Sequence, residues 1–179
     1  MKYVSEKGIN QYAEENGENV NLGQLKAEFM AEKDYSNANA SLVMACHDVF
    51  IKYQGGILLI RRNVEPAVGT PWPIGGRIAR GFSTENSLKD KTFKECGLIL
   101  KNIQYLATAR VLLATDPFGH GKGTDAIAIV YIAEGHGELK LDDNHGYAMI
   151  IKKETYPAIR PGLHPYVREY MDIVMTTKM

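Results

Sequence analysis

The stretch GGRIARGFSTENSLKDKTFKECGL, Gly75 to Leu98, decides the reading of the fold. It begins with a glycine pair after an apolar run and ends in a glycine, with a helix-like segment between. Ser83 or Thr84 supplies an N-cap and Gly97 a C-terminal stop, so the spacing predicts a helix over STENSLKDKTFKEC. Upstream, SLVMACHDVFIKY (residues 41–53) and ILLIRR (57–62) are apolar and β-branched runs around the turn signal QGG, which predicts a β-hairpin. Downstream, NIQYLATARVLLAT and TDAIAIVYIAEG read as two longer strands flanking the glycine-rich loop DPFGHGKG, and GYAMIIK as a further short strand. HPYVREYMDIVMTTK places Val167, Tyr170, Met171 and Val174 on one helical face, suited to packing on a sheet. Strands around one central helix predict an α+β sandwich.

A chain of 179 residues is enough for one domain with a real core. The division expected is an N-terminal helical extension over residues 1–40 and one domain over 41–179. The extension is polar, with Leu22, Leu25, Phe29 and Met30 at helical spacing. Lys plus Arg equals Asp plus Glu at 21 each, which gives no overall charge to attract nucleic acid or an anionic membrane. Cys46 and Cys96 are too few for a disulfide framework and form no zinc-finger pairs with the five histidines, so both are expected as reduced thiols. No stretch of about 18 apolar residues suggests a membrane span, and the N-terminus lacks a signal-peptide core. A soluble, cytoplasmic protein is expected. GHGKGT fails as a phosphate loop because Gly123 separates the lysine from the threonine, and DDNHG fails as a calcium loop because its glycine comes one place early.

The opening stretch resembles the Nudix hydrolase box, which runs Gly, five residues, Glu, seven residues, Arg-Glu-aliphatic-x-Glu-Glu-x-Gly-aliphatic. Gly76 opens it, and Glu95, Gly97 and Leu98 close it in register. Phe82, however, stands at the first Glu, Asp90-Lys91 at Arg-Glu, Thr92 at the aliphatic residue and Lys94 at the next Glu. A box stripped of most carboxylates is the mark of one branch, the GDP-mannose mannosyl hydrolases, and LLIRRNVEPAVGTPWPIGGRI (58–78), GTDAIAIVYIAEG (123–135) and ELKLDDNHGYAMI (138–150) resemble that branch. The resemblance implies a Nudix-type α/β/α sandwich with a mixed sheet. It also implies one Mg²⁺ or Mn²⁺ ion on the Gly75 carbonyl, the Glu95 carboxylate and the Asn144 side chain, where the branch has Gln.

By the same resemblance, His145 activates water, and Arg62 and Arg77 hold the leaving diphosphate, a task suited to guanidinium forks. A histidine is chemically apt as a base near neutral pH. Lys91, Lys94 and Glu95 share one side of the predicted helix. Either Lys91 reaches the phosphates, or Asp90–Lys94 and Lys91–Glu95 are four-spaced ion pairs on a solvated face. Asp48 and Tyr105 are candidates for contact with base or ribose, and His120 lies in a loop able to close over substrate. Three functions stay open: hydrolysis of a nucleoside-diphosphate sugar such as GDP-mannose to sugar and nucleoside diphosphate, a silent domain that binds a nucleotide or protein, and pyrophosphohydrolysis with attack at phosphorus. The substrate partner is a small nucleotide, and pairing into a homodimer is an expectation by analogy.

Overall fold

The computed structural model describes residues 2–4 and 9–177. Its centre is a mixed sheet built on the predicted hairpin. Strand β5 (Met44–Tyr53) turns through Gln54 and Gly55, both at positive φ, into β6 (Gly56–Arg62). The short strands β7 (Pro71–Trp72) and β8 (Ile74–Arg77) pair with β6 and β5 respectively. Helix α2 (Thr84–Cys96) follows, then the long strands β9 (Ile99–Leu113) and β10 (Thr124–His136), and β11 (His145–Ile151). The spatial order is β11-β6-β5-β10-β9, with β10 parallel to β5 and its other pairing, to β9, antiparallel.

The apolar residues run along both faces of the central strands, and the period of two divides them between two helical layers. Val49, Ile51, Leu58, Ile60, Ile129 and Tyr131 form one core with Leu88 and Cys96 of α2. Phe50, Leu59, Val130 and Ile132 form the other with Tyr166, Val167, Tyr170 and Met171 of the C-terminal helix. That helix, α4 (Pro165–Val174), follows the short α3 (Tyr156–Ile159), and its predicted inner face is buried. The result is the α/β/α sandwich expected.

The segment before the sandwich departs from expectation. Strand β1 (Lys2–Val4) pairs with β2 (Asn10–Tyr12), and β3 (Glu14–Glu15) with β4 (Glu18–Asn19). Leu22–Leu25 is a single 3-10 turn, and the helix of this region, α1, lies later at Glu32–Ser41. Phe29 is 95% exposed and Met30 exposed. The spacing of Leu22, Leu25, Phe29 and Met30 is helical, but only the Leu22–Leu25 turn lies against the fold, at Gly81, while Phe29 and Met30 stay exposed, and helices this short draw their stability from packing.

Candidate functional site

One cleft of about 490 Å³ opens at the end of the sheet where β8 passes into α2. Asp48, Arg62, Gly75, Arg77, Lys91, Glu95, Asn144 and His145 all line it. The fold thus brings these eight candidates together from four strands, one helix and one loop. Tyr105 stays outside, packed edge-on to Tyr131 and bonded to Thr108.

Helix α2 places Glu95. Ser83 Oγ accepts the Asn86 N–H at its start, and Gly97, at φ 73°, closes its end with an N–H donated to the Phe93 carbonyl. A left-handed C-cap of this kind is where glycine avoids the clash of a side chain. Two carbonyls of the last turn find partners outside the helix: Glu95 O accepts from Asp142 N and Cys96 O from Lys140 N. The helix end therefore holds the loop that leads to His145, so Glu95 and His145 are fixed relative to one another.

His145 stands opposite Arg62 in the β11–β6 ladder. Its Nδ1 lies 2.5 Å from Asp142 Oδ1, and the same oxygen accepts the Asn144 N–H. An imidazole bonded at Nδ1 to a carboxylate is oriented and has Nε2 left for chemistry. Asp142 joins the candidate site only through the tertiary structure; its signal in the sequence was an Asp three places before a candidate histidine.

Glu95 is engaged on one side only. Lys91 Nζ sits 2.7 Å from Oε1, while Oε2 is buried and has no hydrogen-bond partner. The other predicted pair is also present, Lys94 Nζ with Asp90 Oδ2 at 2.7 Å on the exposed face. The two lysines thus have different fates: Lys94 faces solvent and Lys91 the cleft. The Lys91 stem lies against Gly76, whose φ is 138° and where a Cβ would come within 2.6 Å of Lys91 Cε. A side chain at position 76 would displace the ammonium.

Asp48 is buried behind Gly75, and Tyr166 Oη donates to its Oδ2 at 2.6 Å. Burial pushes its carboxyl up to about 6, against the Tyr166 hydrogen bond and the nearby Arg62 charge. Arg62 is itself held, its Nε donating to the Pro66 carbonyl at 2.6 Å. Burial lowers its pKa while Asp48, Glu95 and Glu65 act to raise it. Arg77 is exposed at the rim, its guanidinium 4.4 Å from the centre of the Tyr35 ring.

The far wall was not foreseen. Tyr35 and Asn39 of α1 line the cleft with Phe118 of the glycine-rich loop, and Tyr35 meets Phe118 edge-on at 5.0 Å. Asp116 is buried in that loop. Against the burial that raises its pKa, N–H groups of Phe118, His120 and Gly121 hold it below the usual carboxylate range. His120 Nε2 donates to Asn39 Oδ1 at 2.9 Å. His120 thus fastens the loop to α1.

Among the described residues no group of three or more His, Cys, Asp or Glu side chains could hold a metal ion. A metal here would rest on mixed oxygen donors. The unpartnered Glu95 Oε2 is the atom that fits one, with the Gly75 carbonyl and Asn144 amide available from the same lining.

No protein-family model matches the chain. The low-salt glycan biosynthesis protein Agl8 of Haloferax volcanii is 30% identical over 138 residues, covering 75% of this chain and 83% of Agl8. The MutT NUDIX hydrolase of Burkholderia pseudomallei superposes with a TM-score of 0.58 at 20% identity, over 76% of this chain and all of that one. The MutT protein of Methanosarcina mazei Go1 gives 0.55 at 19%, over 73% and 91%. The NUDIX domain of Shewanella oneidensis NrtR, complexed with ADP ribose, gives 0.53 at 15%, over 82% and 100%. At its identity and coverage by Agl8 the chain belongs to the family of that protein, and the fold on which it is built is that of the Nudix hydrolases.

Proposed function

We propose that the cleft hydrolyses a nucleoside-diphosphate sugar of the GDP-mannose type, releasing sugar and nucleoside diphosphate. The observation that carries this reading is the Asp142–His145 contact in the same cleft as three cationic side chains and the open oxygen of Glu95. Arg62, Arg77 and Lys91 bind the diphosphate, which is also the group expelled. Water attacks the anomeric carbon and the carbon–oxygen bond to the diphosphate breaks. His145 Nε2 takes the proton of the water while Asp142 holds the ring. One divalent ion, Mg²⁺ or Mn²⁺, would be held by Glu95, Gly75 and Asn144 and, when bound, supplies positive charge against the leaving diphosphate. The glycan-biosynthesis role in Agl8's name agrees with a sugar-bearing substrate, and the ADP-ribose complex of the NrtR domain with a nucleotide ligand.

A second reading, a silent domain that binds a nucleotide, is favoured by one feature, the Lys91–Glu95 ion pair on the one carboxylate the box keeps. One experiment separates them. Purified protein is incubated with a panel of nucleotide sugars and dinucleoside diphosphates, with Mg²⁺ or with chelator, and products are resolved by chromatography. Free sugar plus nucleoside diphosphate is expected, with kcat reduced about a hundredfold or more in His145→Ala. Sugar phosphate would move the attack to phosphorus, and nucleotide binding without turnover would establish the silent domain.

A further inference from the structure

We infer that Lys91 gates the metal: in the free cleft its ammonium holds Glu95 and keeps a divalent cation off it, and an arriving diphosphate frees the carboxylate by drawing the ammonium away. The inference rests on the one-metal reading above. Its test reads binding, so the two fail separately.

Glu95 is the only carboxylate at the closing end of the box, and its Oε1 already has a cation 2.7 Å away. The pair is nearly neutral, so a dication approaching Oε2 meets little net attraction and the repulsion of an ammonium one carboxylate away. Oε2 nevertheless stays buried and unpartnered. The arrangement is a ligand atom in place with its charge cancelled.

The cancelling group is movable. The Lys91 side chain is 32% exposed against 13% for Glu95, and its last carbons rest on Gly76, where no side chain confines them. Arg62 and Arg77 line the same cleft, so an anion drawn to them arrives beside the ammonium. A diphosphate offers Lys91 more negative charge than Glu95 does, and a lysine head on four methylenes can turn to it. Once it turns, Glu95 carries its full charge on two free oxygens just as the phosphates arrive. Metal and diphosphate thus load together. Lys94 cannot serve this role, because it is paired with Asp90 on the exposed face.

The test is Mn²⁺ binding to the full chain by electron paramagnetic resonance of the free ion, without nucleotide and then with GDP or ADP, against a nucleotide-only control. Without nucleotide, Lys91→Met is expected to bind Mn²⁺ about tenfold or more tightly than wild type, by loss of the repelling charge. Lys91→Arg is expected to resemble wild type, and adding Glu95→Gln to Lys91→Met is expected to abolish the gain. Lys91→Gln serves if the methionine variant does not fold. Equal or weaker Mn²⁺ binding by the uncharged variants would overturn the gate. In wild-type protein with chelator, the labelled Lys91 ammonium resonance is expected to move when GDP or ADP binds, and binding without movement would overturn it too. Tighter Mn²⁺ binding in Lys91→Met with no nucleotide bound by any variant supports the block at Glu95 and counts against the proposed function instead.

Discussion

Asp48 shows what a buried acid costs this fold. Its carboxyl is buried away from bulk solvent, and the Tyr166 hydroxyl and Arg62 charge only partly replace the lost hydration. With the folded value raised to about 6 from 3.8, the native state binds the proton more tightly than the unfolded chain. The contribution to stability is therefore full below pH 3.8 and lost as pH rises through about 6. Asp48→Asn keeps an oxygen to accept from Tyr166 and removes the charge. It is expected to melt higher than wild type at about pH 8 and to lose that advantage at about pH 4, with activity reduced throughout. Thermal melts at the two pH values check this. A variant less stable at the higher pH would mean that the surrounding cations fully compensate the carboxylate.

At the scale of elements, α2 does two jobs with its two ends. At its N-terminus Ser83 Oγ accepts the Asn86 N–H and Gln11 Oε1 the Thr84 N–H; Ser83→Ala removes the first of these bonds and should cost about 1 kcal/mol of stability and leave catalysis unchanged. Its C-terminus is tied to the Asp142 loop through the carbonyls of Glu95 and Cys96. Gly97→Ala would force a side chain into the left-handed region and bring a Cβ to 3.0 Å from the Glu138 carbonyl. That variant is expected to lose about 1 kcal/mol or more and, unlike Ser83→Ala, to lower kcat, because the loop holding Asp142 must shift. Denaturant titration with kinetics on the two variants makes the comparison. Equal kinetics would show that the loop is placed independently of the helix.

Over the whole molecule, the site lies where two layers meet: α2 brings Glu95 and Lys91 from one face of the sheet, and α4 brings Tyr166 to Asp48 from the other. Both layers rest on buried apolar clusters. Met171 is fully buried among Phe50, Val130 and Tyr170. Met171→Ala is expected to destabilise the chain by about 2–5 kcal/mol through lost burial and the cavity left. Urea unfolding followed by fluorescence measures it, and a cost well below that range would mean the α4 layer closes around the gap. No described helix is long and apolar enough to cross a membrane.

The sequence by itself determined the parts whose physics is local. The apolar, β-branched runs of the β5–β6 hairpin and of β10, the caps at Ser83 and Gly97, the inner stripe of α4 and the four-spaced pairs Asp90–Lys94 and Lys91–Glu95 follow from residues close together in the chain, and all are present. The gathering of Arg62, Glu95 and His145 was legible through family resemblance, since they lie far apart in the chain. Tertiary structure alone decided the rest. Tyr166 reaches Asp48 across 118 positions, and Asn39 meets His120 across 81, distances over which no periodicity carries information. Of the helical stripe Leu22 to Met30 only the Leu22–Leu25 turn meets the fold, at Gly81, while the less apolar α1 packs on the glycine-rich loop. Which of two neighbouring lysines enters the cleft was settled by the sheet: Lys91 turns inward because β8 places the bare backbone of Gly76 beneath it.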